Sequence, residues 1–527
     1  MSAREPVASS GPTAAADAPH LRLLQLLGRA VQQLDPVRHR RVFVNRTLRM
    51  DRIEIIGFDM DYTLAIYNQP RIEALSVACT LRKMVNERGY PQEILGLHYD
   101  PQFAIRGLVV DRHHGNILKM DRYGYVGRCY HGARLLDREE RGRLYRDQRV
   151  RLSQPRYAWI DTLFALPEAV LYARNVEILD RELDRTGASA EERMRRYDRL
   201  WTDIRECIDE AHHDESIKRV IKANLSDYLE KDPDLAPTLH RFRSAGRRLF
   251  LLTNSGLDYT DRVMSYLLDG ELPAYPSWRS YFDVIVVEAR KPQFFTERAP
   301  LYELDAQGRP RSEVPPEGPL LRSRIYQGGN VQDFQVQIGG RGDRILYVGD
   351  HIYGDMLRAK KSSVWRTAMI IQELEDELTR QARVQDQLQW LEALERRRTR
   401  IESELSFQQL LLRQLARGGL ALPQTQLEVT PDVIEAAMAE IRRRIEALRA
   451  AHRSTVEQAE AREREIDRTF NPYWGPLFKE GTENSRFGDQ VEDYACLYTS
   501  RVSNFLAYSP LQHFRSPRDH LPHERVY

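Results

Sequence analysis

"IEIIGFDMDYTLAIYN" spans residues 53–68. Its first six residues are apolar but for one glutamate, and they run without strict alternation. That pattern marks a β-strand covered on both faces. Two carboxylates, Asp59 and Asp61, follow immediately, two positions apart. Like charges held close raise the proton affinity of one member unless a cation intervenes. One carboxylate can then act as a nucleophile and the other as an acid–base, or both can help hold a hard cation such as Mg²⁺, which takes oxygen ligands.

Working outward, similar apolar runs recur at "RRLFLLT" (247–253), "FDVIVVE" (282–288), "RILYVG" (344–349) and, more weakly, "TAMII" (367–371). Continuous runs of this kind predict an α/β fold, a Rossmann-like parallel sheet flanked by helices. The first four runs each lead into a polar cluster: "DMDYT", "NSGLDYTD", "ARKP" and "DHIYGD". Open α/β sheets bind ligands beyond the carboxyl ends of their strands. Asp350 is placed to complete a metal shell, Thr253 to donate a hydroxyl and Lys291 to supply a fixed positive charge. A cation, an ammonium, a hydroxyl and backbone N–H groups suit phosphoryl transfer, where positioning and charge stabilisation do most of the catalysis.

The 527-residue chain is 42% hydrophobic and 30% charged, enough apolar residues for a large core. Its net charge of +2 supplies no global field for nucleic acid or membrane. Cys79, Cys129, Cys207 and Cys496 form no CxxC pair, which argues against a zinc site or a disulfide framework. The first twenty residues lack the apolar core of a signal peptide and read as disordered, and no apolar run is long enough to span a bilayer. A cytoplasmic location is the expectation.

The organisation expected is a disordered 1–20, a first core part 21–110, an inserted cap 111–235, a second core part 236–371, a helical hairpin 372–469 and a C-terminal segment 470–527 packing on the core. Nearly two hundred residues separate the first two core strands, so a domain-sized insertion lies between them. Residues 191–213 of it have helical character. Apolar spacings of three and four predict the antiparallel hairpin. Gly418 and Gly419 stop its first arm; Thr430 and Pro431 supply the cap and first turn of the second. "GGRGD" (339–343) reads as a turn, because it lacks the ending of a P-loop and precedes a strand. His212 and His213, being adjacent on a helix, point to different sides and form no metal site.

The motifs "DMDYT", "LLTNS", Lys291 and "GDHIYGD" resemble those of the haloacid dehalogenase superfamily of phosphohydrolases. In closer detail, "GFDMDYTLA", "SYFDVIVVEARKPQFF" and "ILYVGDHIYGDMLRAKK" are similar to the cytosolic purine 5′-nucleotidase family, which acts on inosine and guanosine monophosphates. The resemblance runs from about residue 43 to the end. It implies Asp59 as nucleophile, Asp61 as acid–base, Thr253 and Lys291 on the transferring phosphoryl group, and Mg²⁺ on Asp59, Asp350 and the carbonyl of Asp61, with Asp355 in support. It further implies a substrate site of Phe164, Arg205, Asp209, His212, Lys218, Asn254 and Ser255, with Phe164 stacking on the purine, and a homo-oligomer, dimer or tetramer. Arg205, Asp209 and His212 share one helix face; without the resemblance, Arg205 and Asp209 read as a surface ion pair.

Two departures touch base preference. Ala165 and His213 stand where animal members carry Asn and Tyr. At the activator site Lys361 is kept, but Asp161 and Asp493 replace Asn and Arg. Two carboxylates there would repel a polyphosphate, so weak activation by ATP is the expectation. The alternatives are the same centre acting on another phosphomonoester, and a non-catalytic scaffold binding partners through the hairpin.

Overall fold

A computed structural model describes residues 36–146, 150–322, 324–357, 363–417, 430–518 and 520–524. The disorder expected for residues 1–20, Lys361 and the Gly418–Gly419 stop lie outside them.

The core is one ten-stranded sheet. Seven strands run parallel: β1 (Ile55–Phe58), β2 (Arg248–Leu252), β3 (Val284–Val287), β4 (Ile325–Gly328), β5 (Ile345–Gly349), β6 (Arg366–Ile370) and β7 (Leu497–Thr499), in the spatial order β7-β6-β5-β1-β2-β3-β4. Antiparallel strands close both edges: Phe43–Val44 beside β7, and the Leu301–Leu304/Pro310–Val314 ribbon beside β4. Every residue of β1, β3 and β5 is buried. Alternate residues enter two separate cores, as Ile56, Phe58, Leu249 and Leu251 fill one face while Ile55, Phe250 and Leu252 fill the other. This two-faced burial is why the strands read as continuous apolar runs. The strand expected at 367–371 runs Arg366–Ile370. β4 and β7 went unread in the sequence, being four and three residues long.

The chain between β1 and β2 holds helix α1 (Gln69–Arg88), a five-stranded antiparallel sheet from Leu108 to Ile160, and helices α2 (Leu166–Thr186) and α3 (Ala190–His213). That sheet starts at Leu108, so a boundary at 110/111 would cut its first strand. The insertion leaves the core along Ile66–Tyr67 and returns along Leu229–Glu230, and these two segments pair with each other.

After β6 the chain forms a separate helix, Leu374–Arg383, and then the hairpin arms α4 (Gln385–Ala416) and α5 (Pro431–Phe470). Thr430 Oγ1 caps α5 by accepting the Val433 N–H at 3.4 Å, and Pro431 opens it. Val384, Ile466 and Phe470 bury the base of the hairpin. The C-terminal segment then packs Trp474 and Phe487 inside. Lys119 of the inserted sheet donates to the carbonyls of Trp474, Pro476 and Lys479 at 2.6–2.7 Å, tying the insertion to that segment. Among the described residues no helix is long and apolar enough to cross a membrane.

Gly57 of β1 lies opposite Phe250 of β2, and a Cβ there would sit 2.0–2.6 Å from the phenyl ring. Gly57→Ala should therefore cost ~1–3 kcal/mol by overpacking, read as a lower denaturant midpoint at unchanged slope. An unchanged midpoint would contradict this packing.

Candidate active site

The carboxyl ends of β1, β2, β3 and β5 bring the sequence motifs together. After β1 the chain turns tightly: the Leu64 and Ala65 N–H groups both return to the Met60 carbonyl at 2.9 Å. Tyr62 takes a left-handed φ of 55°, a cost of ~1–3 kcal/mol for a non-glycine residue. Asp59 is anchored by its own N–H on the Val348 carbonyl and by the Met60 N–H on its Oδ1, at 2.9 and 2.7 Å.

Lys291 is the hub. Its buried Nζ lies 2.8 Å from Asp59 Oδ1, 2.8 Å from Asp355 Oδ1 and 3.0 Å from the Tyr347 hydroxyl. Burial works against the ammonium, but Asp355 and Asp59 outweigh it and hold its pKa well above the ordinary lysine value. Its backbone is clamped by Asn254, which accepts the Lys291 N–H at 2.6 Å and donates to the Lys291 carbonyl at 2.9 Å. Asn254 thus spends its amide on positioning the lysine. Asp355 enters from a π-helical turn, Ile352–Leu357, directly after β5. A Cβ on Gly349 would stand 2.5 Å from Asp355 Oδ2, so glycine there admits the carboxylate.

Asp59, Asp350 and Asp355 each offer an oxygen within 4.8 Å of the others. Burial, then Asp355, pushes Asp350 up to about 7. Burial also raises Asp59 well above the carboxylate range, with Lys291 opposing. Asp350 Oδ2 is buried and has no hydrogen-bond partner among the described residues. Three crowded carboxylates, one ammonium and an orphaned acceptor leave a deficit of positive charge. The donor set is all oxygen, as a hard divalent cation requires, so the residues fit such an ion.

Asp61 accepts from the Ser255 hydroxyl at 2.8 Å and the Tyr67 hydroxyl at 2.5 Å. Burial raises its pKa while those two bonds oppose the rise. Thr253 is fully buried, and its Oγ1 accepts the Ser255 N–H at 3.0 Å.

The insertion supplies an aromatic wall. Phe164 meets Tyr62, Tyr67 and His212 edge-on, with ring centroids 4.5, 6.2 and 5.7 Å apart. Burial, then the Lys218 charge, lowers His212 to about 4, leaving it neutral at pH 7. Lys218 Nζ sits 5.8 Å from the Tyr259 ring centroid. Arg205 is engaged elsewhere: its Nη1 is 3.1 Å from buried Glu168, and Asp209 lies 3.9 Å from its Nη2. The surface-pair reading of Arg205 and Asp209 therefore holds in part. His213 is exposed while His212 is largely covered. Asp161 bonds His351 Nε2 at 2.8 Å, so part of its charge is spent inside the protein; Asp493 is exposed.

Sequence reasoning missed several supports. Arg106 is wholly buried, pairs with Glu373 through two nitrogens and donates to the Asp350 carbonyl at 2.9 Å. As a lone arginine in a loop it carries no local signal. Tyr347 is invisible for the opposite reason, because on a strand it reads as core.

A model of the 5′ nucleotidase family matches residues 42–526, and the chain belongs to that family. It is 30% identical over 506 residues to a 5′-nucleotidase domain-containing protein of Dictyostelium discoideum, covering 94% of this chain and 76% of that one. A solved 2-haloacid dehalogenase of Pseudomonas syringae pv. Tomato aligns over 60% of this chain and 86% of its own, at 14% identity and a TM-score of 0.19, too slight to bear on the fold. Family membership makes this chain a phosphoric monoester hydrolase acting on nucleoside monophosphates.

Because Asp350 has a raised pKa, the folded metal-free protein binds its proton more tightly than the unfolded chain does. Stability contributed by that proton is lost as pH rises from about 4 to about 7. Unfolding in chelator should therefore show wild type losing stability relative to Asp350→Asn across that range. Divalent cation at 100 times its Kd should restore ~2.7 kcal/mol to wild type alone. Parallel pH curves, or equal cation response in both proteins, would contradict the assignment.

Proposed function

We propose that this protein is an Mg²⁺-dependent 5′-nucleotidase that hydrolyses purine nucleoside 5′-monophosphates, IMP and GMP foremost, through an aspartyl-phosphate. The observation that carries this reading is the junction of Lys291 with Asp59 at 2.8 Å, beside Asp61 and the unpartnered oxygen of Asp350. A bare carboxylate is repelled by a phosphate dianion, and screening cations remove that barrier.

Asp59 attacks phosphorus as the bond to the 5′-oxygen breaks, and the departing electron pair takes the proton of the Asp61 carboxyl. The Asp61 carboxylate then removes a proton from water, whose oxygen attacks the same phosphorus and frees Asp59. Lys291 and the Thr253 hydroxyl hold the phosphoryl oxygens throughout. Asp59, Asp350 and the Asp61 carbonyl would hold Mg²⁺, with Asp355 behind them; when bound, the ion neutralises charge on the phosphoryl group and on the crowded carboxylates. If a second nucleoside stands in for water, the same step transfers phosphate to it.

The inserted segment acts as a cap that reads the base. Phe164 gives a flat ring a surface, neutral His212 can donate or accept at its edge, and Lys218 and Ser255 face the phosphate side. Arg205, held by Glu168, and Asp209 lie further out along α3. Asp161 and Asp493 disfavour a polyphosphate at the activator position, so ATP is at most a weak activator. The protein works in the cytoplasm as a dimer or tetramer.

Phosphate release from inosine, guanosine, adenosine and pyrimidine monophosphates tests the reading. Inosine and guanosine monophosphates should be cleaved fastest, and chelator should abolish turnover. Asp59→Asn should lose at least ~10⁴-fold in kcat while keeping its unfolding midpoint within about 2 °C of wild type, ~2 kcal/mol for a chain of this length. ATP should change the rate by less than the ~5-fold at which allosteric coupling ordinarily begins. Pyrimidine preference would overturn the substrate, and turnover by Asp59→Asn would overturn the nucleophile.

A further inference from the structure

Asp61 is held by more than its place in the loop. Each of its oxygens takes a separate hydroxyl: Tyr67 on Oδ1 at 2.5 Å and Ser255 on Oδ2 at 2.8 Å. Once Asp61 has given up its proton, its carboxylate can only accept, so in that state the Tyr67 proton points to Asp61. The second contact of the Tyr67 oxygen, 2.9 Å from the Tyr259 hydroxyl, must then be one that Tyr259 donates. A directed relay results, Tyr259 to Tyr67 to Asp61, and both tyrosines are buried.

The backbone at Tyr67 is fixed as firmly as its hydroxyl. Tyr67 pairs with Leu229, and the next N–H, of Asn68, reaches the Tyr228 carbonyl at 2.8 Å. This is the ribbon through which the insertion leaves and rejoins the core. The Tyr67 ring also packs against Tyr62 and Phe164, with centroids 5.0 and 6.2 Å away. One side chain therefore touches the acid–base, the aromatic wall and the junction.

We propose that Tyr67, backed by Tyr259, is the positioning residue for proton transfer by Asp61. The inference rests on the function proposed above. With a hydroxyl already on each oxygen, the carboxylate plane cannot rotate freely. The proton that Asp61 gives to the 5′-oxygen then occupies a remaining lone pair instead of turning to Tyr67 or Ser255. Tyr67→Phe removes the donor while keeping the ring and its packing, so the acid–base stays in place but loses its orientation.

The experiment compares two leaving groups in the full-length protein with Mg²⁺. A nucleoside 5′-alkoxide needs a proton as it departs, whereas p-nitrophenolate does not. Single-turnover release of nucleoside should fall ~10- to 100-fold in Tyr67→Phe, part of the ~10²–10⁴ that a positioned acid–base supplies, with release of p-nitrophenol changed by less than ~3-fold. Steady-state KM for the nucleotide should stay within about twofold while kcat falls. Tyr259→Phe should show the same selectivity to a smaller extent. Equal losses on both substrates, or none, would overturn the positioning role while leaving the nucleotidase reading intact. A wild-type protein that releases phosphate from neither substrate would overturn both.

Discussion

The site depends on one buried ammonium. Lys291 stands between Asp59 and Asp355, 2.8 Å from each, and the other groups at the strand ends are arranged around that charge. Without it, three carboxylates would share a space less than 5 Å across, where burial already drives Asp59 and Asp350 toward protonation. A lysine buried without partners would itself lose its proton. Each side is tolerated because of the other. Several neighbouring features serve this pairing: the Asn254 side-chain clamp on the Lys291 backbone, the glycine at 349 that lets Asp355 approach, and the Tyr347 hydroxyl beside the ammonium.

Around this centre two unlike parts meet. The parallel sheet provides rigid strand ends, since β1, β2, β3 and β5 are covered on both faces and their termini are set by two packed cores. The insertion contributes rings and outer charges. Near the site it is tied down by polar contacts that include the ribbon at Tyr67 and Leu229, Arg106 on the Asp350 carbonyl, and Asp161 on His351. Two of these end on consecutive residues, Asp350 and His351, so the loop that follows β5 is supported from the insertion as well as from its own strand.

What could be read in advance follows from this division. Strands buried on both faces leave continuous apolar runs, and a catalytic group at a strand end follows its run directly. Asp59, Asp61, Thr253, Lys291 and Asp350 were therefore legible as a set. β4 and β7 were not, because three or four residues cannot establish a pattern, and the inserted antiparallel sheet gave short stretches broken by glycines. The supports were hidden for another reason. Arg106, Tyr347 and Glu373 act across long stretches of sequence, Tyr67 lies only six positions from Asp61, and each alone has the look of an ordinary core or loop residue. Asn254 was legible as part of the site, but its use was not: it reads as a substrate contact and serves to fix a lysine 37 positions away.

The central claim is that Asp59 becomes covalently phosphorylated under the Lys291 charge. Acid quenching within one turnover of phosphate-labelled inosine monophosphate, followed by borohydride reduction and peptide mass analysis, addresses it directly. The account predicts conversion of residue 59, and of no other aspartate, to homoserine, and its disappearance in Lys291→Met. Label on another residue, or full phosphate release with no trapped intermediate at any time, would contradict it.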